Sequence, residues 1–300
     1  MVSSRIGEIT GVVDIDYFET WREILEYKQQ EQFVDYQWVF RGQSDAKWCI
    51  KSTFERAREG REQLHAWRYE AAMLREFKRR AHHYTSDLPT SGDVLEWFAL
   101  MRHYGAPSRL VDFTYSFYIA AYLTLTKMSP KKGPGAIWAI NEQFLKERYE
   151  KTYEVKKGED PNFRFKNPKV FHDNFLDHQE PMSFAIPVNP FRLNERLTAQ
   201  QGVFLCPGHI DDTFMNNLLG ESPETSESNV VRIIIKPSVR REAIPDLRSM
   251  NITSATLFPD LIGFAQSLSD WFDIPFHYED GVLDETLKGE DYKRHPYLER

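Results

Sequence analysis

The chain has 300 residues, 41% hydrophobic and 28% charged, the proportions of a folded globular protein rather than a disordered or fibrous one. Thirty-eight basic residues stand against forty-five acidic ones, a net charge of −7, so there is no strong general nucleic-acid signature, although a local basic patch stays open. Two cysteines, Cys49 and Cys206, form neither a CxxC pair nor a disulfide framework, which fits a reducing cytoplasm.

Residues 1–20 hold acids and no long apolar run, so no secretory signal is expected. Ile15, Phe18, Trp21, Ile24 and Leu25 recur at helical spacing and predict an amphipathic helix over 14–30. Trp38-Val39-Phe40 reads as a buried strand leading into Arg41-Gly42-Gln43. A charged helix is expected over 61–83, with Leu64, Trp67, Ala71, Leu74 and Phe77 or Lys78 on one face and Lys78, Arg79 and Arg80 in solvent. A helix over 93–103 should stop at Gly105, with Pro107 beyond. A third helix, 115–127, is mostly apolar; its stretch 117–125 is half a membrane span, so no membrane partner is expected.

Residues 136–140 read as a strand after the 130–135 turn. Residues 150–180 are irregular and read equally as an insertion or a lid. Strands are expected at 183–188 and 203–206, with a short helix or turn over 192–200 between them. Residues 230–236 (VVRIIIK) are β-branched at five of seven positions and predict a strand buried on both faces. A polar loop over 219–229, a last helix over 260–272 and a peripheral tail over 280–300 complete the chain. The pattern implies a single α+β domain, with several helices packed on a small mixed or split β-sheet.

Four segments carry polar residues that secondary structure alone does not demand. In the first, Phe40-Arg41-Gly42-Gln43, an arginine at the end of a buried strand must find a partner. A phosphate or carboxylate suits its guanidinium, and an internal salt bridge is the bland alternative. Gly42 would let a backbone approach closely. The second runs from His103 and Tyr104 through Ser108, Arg109 and Asp112 to Phe113. Here Ser108 capping a turn and Arg109 pairing with Asp112 are the bland readings. The third holds Arg196, Gln200, Gly202 and Phe204, and the fourth is Leu257-Phe258-Pro259-Asp260-Leu261-Ile262-Gly263. Asp260 there suits a helix start.

Together these segments resemble the FRG domain family, named for its Phe-Arg-Gly signature. The triplet stands at 40–42; His-Tyr-Gly-x-Pro-Thr-Arg-Leu-Leu-Asp-Trp appears as residues 103–113. Arg with Gln-x-Gly-x-Phe appears at Arg196, Gln200, Gly202 and Phe204; Leu-Phe-Pro-Asp-Leu-Asp-Gly appears at 257–263. The resemblance spans about 20–272 of one domain covering 1–300. Ser108 replaces the usual Thr, Phe113 the usual Trp, Arg102 the usual Gln and Ile262 a second Asp, which leaves Asp260 as the acid of that segment.

The family recurs in bacterial and phage proteins, which implies a setting of phage defence or conflict. Many ADP-ribosyltransferases carry an aromatic-Arg-Gly near the end of a core strand, where the Arg helps hold the dinucleotide; the likeness is an analogy. It implies NAD as substrate, for ADP-ribosyl transfer or NAD hydrolysis, with no metal. The expected catalytic group is Arg41, His103, Asp112 and Asp260. The expected nucleotide contacts are Arg41, Gln43, Tyr104, Ser108, Arg109, Arg196, Gln200 and Phe204. Asp112 or Asp260 could supply the carboxylate; the strand at 230–235 carries no Glu-x-Glu, which either excludes a late-strand-acid mechanism or moves the acid to Asp260. The alternative is a non-catalytic module binding a nucleotide or a partner. Phosphoester cleavage has less support, since no HxH, HExxH, Walker loop or GxGxxG occurs. The macromolecular acceptor is not specified by the sequence.

Overall fold

The computed structural model describes residues 9–29, 33, 37–61, 65–129, 133–153, 168–176, 182–220 and 229–273. Most of the expected insertion or lid at 150–180, most of the polar loop and the tail at 280–300 lie outside the described residues.

The elements run β1 (Val13–Phe18), α1 (Trp21–Lys28), β2 (Trp38–Gln43), α2 (Thr53–Arg58), α3 (Ala66–Arg80), α4 (Val94–His103), β3 (Val111–Thr114) and α5 (Phe117–Lys127). They continue with β4 (Gly135–Asn141), α6 (Glu142–Tyr153), α7 (Pro168–Phe175), β5 (Ala185–Val188), α8 (Glu195–Ala199), β6 (Gly202–Pro207) and α9 (Phe214–Leu219). The last are β7 (Val230–Ile235), α10 (Arg240–Ser249), α11 (Ser254–Leu257) and α12 (Leu261–Ser267), followed by 3-10 turns to Asp273. The seven strands form one mixed sheet in the order β1-β7-β4-β2-β3-β6-β5. Only the edge pair β1–β7 is parallel; the other neighbours are antiparallel. This is an α+β fold.

The sheet is covered on both faces. Phe40, Ile137, Ala139, Val231 and Ile233 pack on one side with Ile24, Phe117, Tyr122 and Ile244 from α1, α5 and α10. Val39, Trp138, Ile140 and Val230 point to the other side, toward Phe144, Leu145, Phe214 and Leu218. Burial on both faces explains why β7 reads as an unbroken apolar run apart from Arg232. That residue is buried, ion-paired with Asp14 of β1, and stacked at 5.6 Å on the Trp138 ring.

Two expectations need correction. Residues 14–30 are not one helix. Val13, Asp14 and Ile15 begin a strand paired in parallel with β7, and the chain turns before Thr20 caps α1 in a capping box with Glu23. The local alternation of Val13, Ile15 and the intervening acid was the strand signal, masked by the helical spacing of the residues after it. The face of α3 also differs in part: Leu74 and Phe77 turn inward as expected, but Trp67 and Ala71 are exposed and Ala66, Glu70 and Met73 turn inward instead, while Leu64 lies outside the described residues. A buried glutamate sets this face, because Glu70 pairs with Arg109.

The helices flanking the second segment begin and end as their sequences require. Asp93 caps α4 by accepting from the Glu96 amide at 3.1 Å, and Gly105 follows the helix with φ of 82°. Ser116 caps α5. No described helix is long and apolar enough to cross a membrane.

Candidate functional site

A cleft of about 730 Å³ opens where β2, β3, α8 and the segment around Phe258 meet residues 44–59. Arg41 comes from β2, Asp112 and Phe113 from β3, Arg196 and Gln200 from α8 and its cap, and Arg102 from α4. Arg41 can sit here because Gly42 beside it has no side chain. A Cβ at 42 would collide with the Ala120 carbonyl and the Thr124 hydroxyl of α5. The backbone that approaches Gly42 is therefore a helix of the protein itself. Gly263 and Gly202 do similar work, one against the Phe258 carbonyl and the other against the Leu197 side chain.

Arg41 donates through Nη1 to the Asp112 backbone carbonyl at 2.6 Å, and its guanidinium lies 6.0 Å from the Phe113 ring centre. Its Nε is buried and has no hydrogen-bond partner among the described residues. Burial pushes the guanidinium pKa down to about 10; Asp112 works against the shift, while Arg102 and Arg56 add to it. An arginine left this way favours a site for an anion over a closed structural pair.

The Asp112 carboxylate instead pairs with Arg102, whose Nε lies 2.9 Å from Oδ2. Arg196 lies 4.6 Å over the Phe258 ring and makes no ion pair among the described residues. Burial lowers its pKa, with Asp112 opposing the shift and Arg102 assisting it. Lys127 is depressed by burial and then by Arg196 and Arg41. Lys47, Lys51 and Arg56 complete the cations; Lys51 pairs with Glu59 at 2.6 Å. Seven cationic side chains thus line the cleft against two acids, Glu59 and Asp112, in a chain of net charge −7. Such a concentration of one sign focuses the field on an anionic ligand.

A second, small cavity adjoins the cleft and shares Arg102, Asp112, Arg196 and Gln200 with it. His103 and Phe204 line this cavity. Burial lowers the His103 pKa, Arg196 lowers it further, and Asp260 opposes both. The surroundings therefore favour the neutral imidazole.

The structure brings Arg41, Gln43, Asp112, Arg196 and Gln200 to the cleft, and His103 and Phe204 to its neighbour. The Gln43 side chain is occupied within the protein: Oε1 accepts from Trp138 Nε1 at 2.7 Å and Nε2 donates to the Cys49 carbonyl at 3.4 Å. Gln200 Nε2 donates to the Leu257 carbonyl at 3.0 Å. Four expected residues line neither cavity. Tyr104 is 63% exposed elsewhere, Ser108 is buried, and Asp260 caps α12 by accepting from the Gly263 amide at 2.7 Å. Arg109 is fully buried in an ion pair with Glu70 and donates to the Phe175 carbonyl at 2.6 Å. It is not paired with Asp112.

Lys47, Trp48, Lys51, Arg56, Lys127 and Phe258 line the cleft without having been expected to. A signal for four of them existed: Lys47, Trp48, Lys51 and Arg56 follow the Phe-Arg-Gly triplet within sixteen residues in the sequence. Among the described residues no three His, Cys, Asp or Glu side chains converge as a metal site would require.

Comparison with known families matches residues 36–133 to the FRG domain, about a third of the chain, from the start of β2 to beyond α5. The match covers Arg41, Arg102 and Asp112 but stops short of Arg196, Gln200 and Phe258. No curated protein and no solved structure matches the chain.

Proposed function

We propose that this chain, which carries an FRG domain, binds a nucleotide with two or more phosphates in the cationic cleft, that NAD is its substrate, and that it cleaves the bond between ribose and nicotinamide. The observation that carries the binding is the reversal of charge. An acidic protein gathers seven cations around one cleft and leaves a buried arginine nitrogen unpartnered there. Phosphate oxygens supply both the charge and the acceptors that Arg41 and Arg196 lack.

The chemistry rests on Asp112. Cleavage breaks the C1′–N1 bond, and the bonding pair leaves with nicotinamide as a neutral base. Positive charge develops on the ribose ring and calls for a nearby carboxylate. Asp112 is an acid lining the cleft, paired through Oδ2 with Arg102, and its Oδ1 accepts no hydrogen bond from the described residues. Water or a hydroxyl of a macromolecule then bonds to C1′ and gives up a proton. Neutral His103, in the adjoining cavity, is the base that would accept it. NAD hydrolysis and ADP-ribosyl transfer differ only in that nucleophile.

One observation favours a second reading, nucleotide binding without chemistry. The Asp112 carboxylate is already engaged by Arg102, so it is less free to meet a charge developing on the ribose.

The test combines binding and turnover. Wild type, Arg41→Ala, Arg196→Ala and Asp112→Asn are titrated with ADP-ribose by calorimetry. They are also incubated with adenine-labelled NAD and cell lysate, with nicotinamide release measured in the same tubes. The proposal expects each arginine variant to lose roughly ten- to a hundredfold in affinity, the worth of a charge-assisted hydrogen bond. It expects Asp112→Asn to bind and not turn over. Binding without release in the wild type selects the second reading. Failure of the folded wild type to bind ADP-ribose, ADP or NAD refutes the nucleotide site.

A further inference from the structure

We infer that Trp48 is the platform on which the base of the bound nucleotide stacks, so that the ligand lies with its phosphates at Arg41 and Arg196 and its base toward the cleft mouth. This rests on the nucleotide reading and adds to it the orientation of the ligand and the residue that selects its ring.

Four aromatic side chains line the cleft, and three are already covered. Phe40 is buried edge-on against Phe117 at 5.5 Å. Phe113 is buried and lies near Arg41, and Phe258 carries the guanidinium of Arg196. Trp48 alone of the four has no ring or cation partner among the described residues and stands 52% exposed. Indole offers the largest flat surface of any side chain, and every nucleobase has a face to lay against it.

An isolated exposed tryptophan is often without meaning. This one is held by its backbone as a fixed surface. The Ala46 amide donates to the Pro134 carbonyl at 2.9 Å, and the Ala46 carbonyl accepts from Arg232 at 3.0 Å. The Asp45 side chain accepts from the Lys47 amide at 2.9 Å, and its backbone carbonyl accepts from the Trp48 amide at 3.2 Å. Gln43 holds the Cys49 carbonyl from below. A short loop tied at five points loses little freedom when a ligand lands on it.

Depth sets the orientation. The Nε of Arg41 has no solvent exposure, whereas Trp48 and Lys47 lie at the open end. Phosphates are drawn to Arg41 and Arg196, which make no ion pair among the described residues. The base of the same molecule then meets the one uncovered ring, and Lys47 and Lys51 flank it.

The experiment compares ADP with inorganic pyrophosphate on wild type, Trp48→Ala, Trp48→Phe and Arg41→Ala, with thermal unfolding as the control for folding. Trp48→Ala is expected to weaken ADP roughly five- to a hundredfold, the range for loss of a stacked base, and to leave pyrophosphate unchanged. Trp48→Phe is expected to restore most of the ADP affinity, and Arg41→Ala to weaken both ligands. ADP should also quench tryptophan fluorescence in the wild type and not in Trp48→Phe. Unchanged ADP affinity in Trp48→Ala overturns the platform and leaves the nucleotide site standing. Equal losses for ADP and pyrophosphate overturn it too, since Trp48 would then only shape the loop. A wild type that binds neither ligand removes the nucleotide reading itself.

Discussion

Arg109 belongs to the recognisable motif of the second segment, yet the structure makes it a core residue, and substitution separates the two roles. Its side chain is fully buried, Glu70 is 3% exposed, and Nε lies 2.7 Å from Oε1 in a two-pronged pairing. Burial works against the guanidinium's charge, and the carboxylate outweighs it, so the pKa stands above its ordinary value. Arg109→Met strands a carboxylate in the core, and breaking one side of such a pair costs about 3–5 kcal/mol. At about 2–4 °C per kcal/mol for a domain of this order, Tm falls by roughly 6–20 °C. Replacing both partners, Glu70→Met with Arg109→Met, removes the stranded charge and should recover much of the loss. The Phe175 carbonyl, which accepts from Arg109 at 2.6 Å, keeps the recovery incomplete. Circular dichroism melting with ADP-ribose titration on the same preparations decides the matter. The expectation is lowered Tm with unchanged affinity below the transition. An Arg109→Met protein that melts with the wild type but no longer binds the ligand would refute this account.

Gly42→Ala should destabilise by about 1–3 kcal/mol, the range for overpacking, because the new Cβ meets backbone of α5 that cannot swing aside; denaturant unfolding measures it, and a neutral result would mean that β2 and α5 separate freely. Affinity for ADP-ribose should fall several-fold between about 50 and about 300 mM NaCl, since cations dominate the cleft, with a shallower slope in Arg41→Ala. Affinity should also fall as pH rises through about 10, where Arg41 and the likewise depressed Lys127 give up protons, because an anion binds the charged forms; calorimetry at pH 8 to 10.5 on wild type, Arg41→Ala and Lys127→Ala, with folding controls, reads the share of each. His103 is depressed on folding, so below about pH 6.5, its unfolded value, the unfolded chain takes up the proton first and stability drops as pH falls. His103→Gln should flatten the Tm profile between pH 5 and 7, and an unchanged slope would remove His103 as its source.

Much of the fold is legible in residue order because its causes are local. The apolar run of β7, the Asp93 and Ser116 caps and the stop at Gly105 each depend on neighbours within a few positions. The four polar segments are equally visible as sequence. Their convergence is partly so, since Arg41, Asp112, Arg196 and Gln200 do meet. The edge strand at 13–18 was obscured because its pairing partner, β7, lies more than two hundred residues away.

What the sequence determined by itself is therefore the repertoire: which segments are helix or strand, and which carry charged groups into buried surroundings. Tertiary structure alone decided what each charge does. Arg41 and Arg109 both follow buried residues in the chain and read alike there. One met Glu70 from α3 and became core; the other met a backbone carbonyl, lines the cleft and keeps a buried nitrogen without a partner among the described residues. A buried charge is expensive until something compensates it, and the compensating group can come from any part of the chain. The cleft has its chemistry for the same reason: folding paired Arg109 with Glu70 and left Arg41 and Arg196 without an ion-pair partner among the described residues.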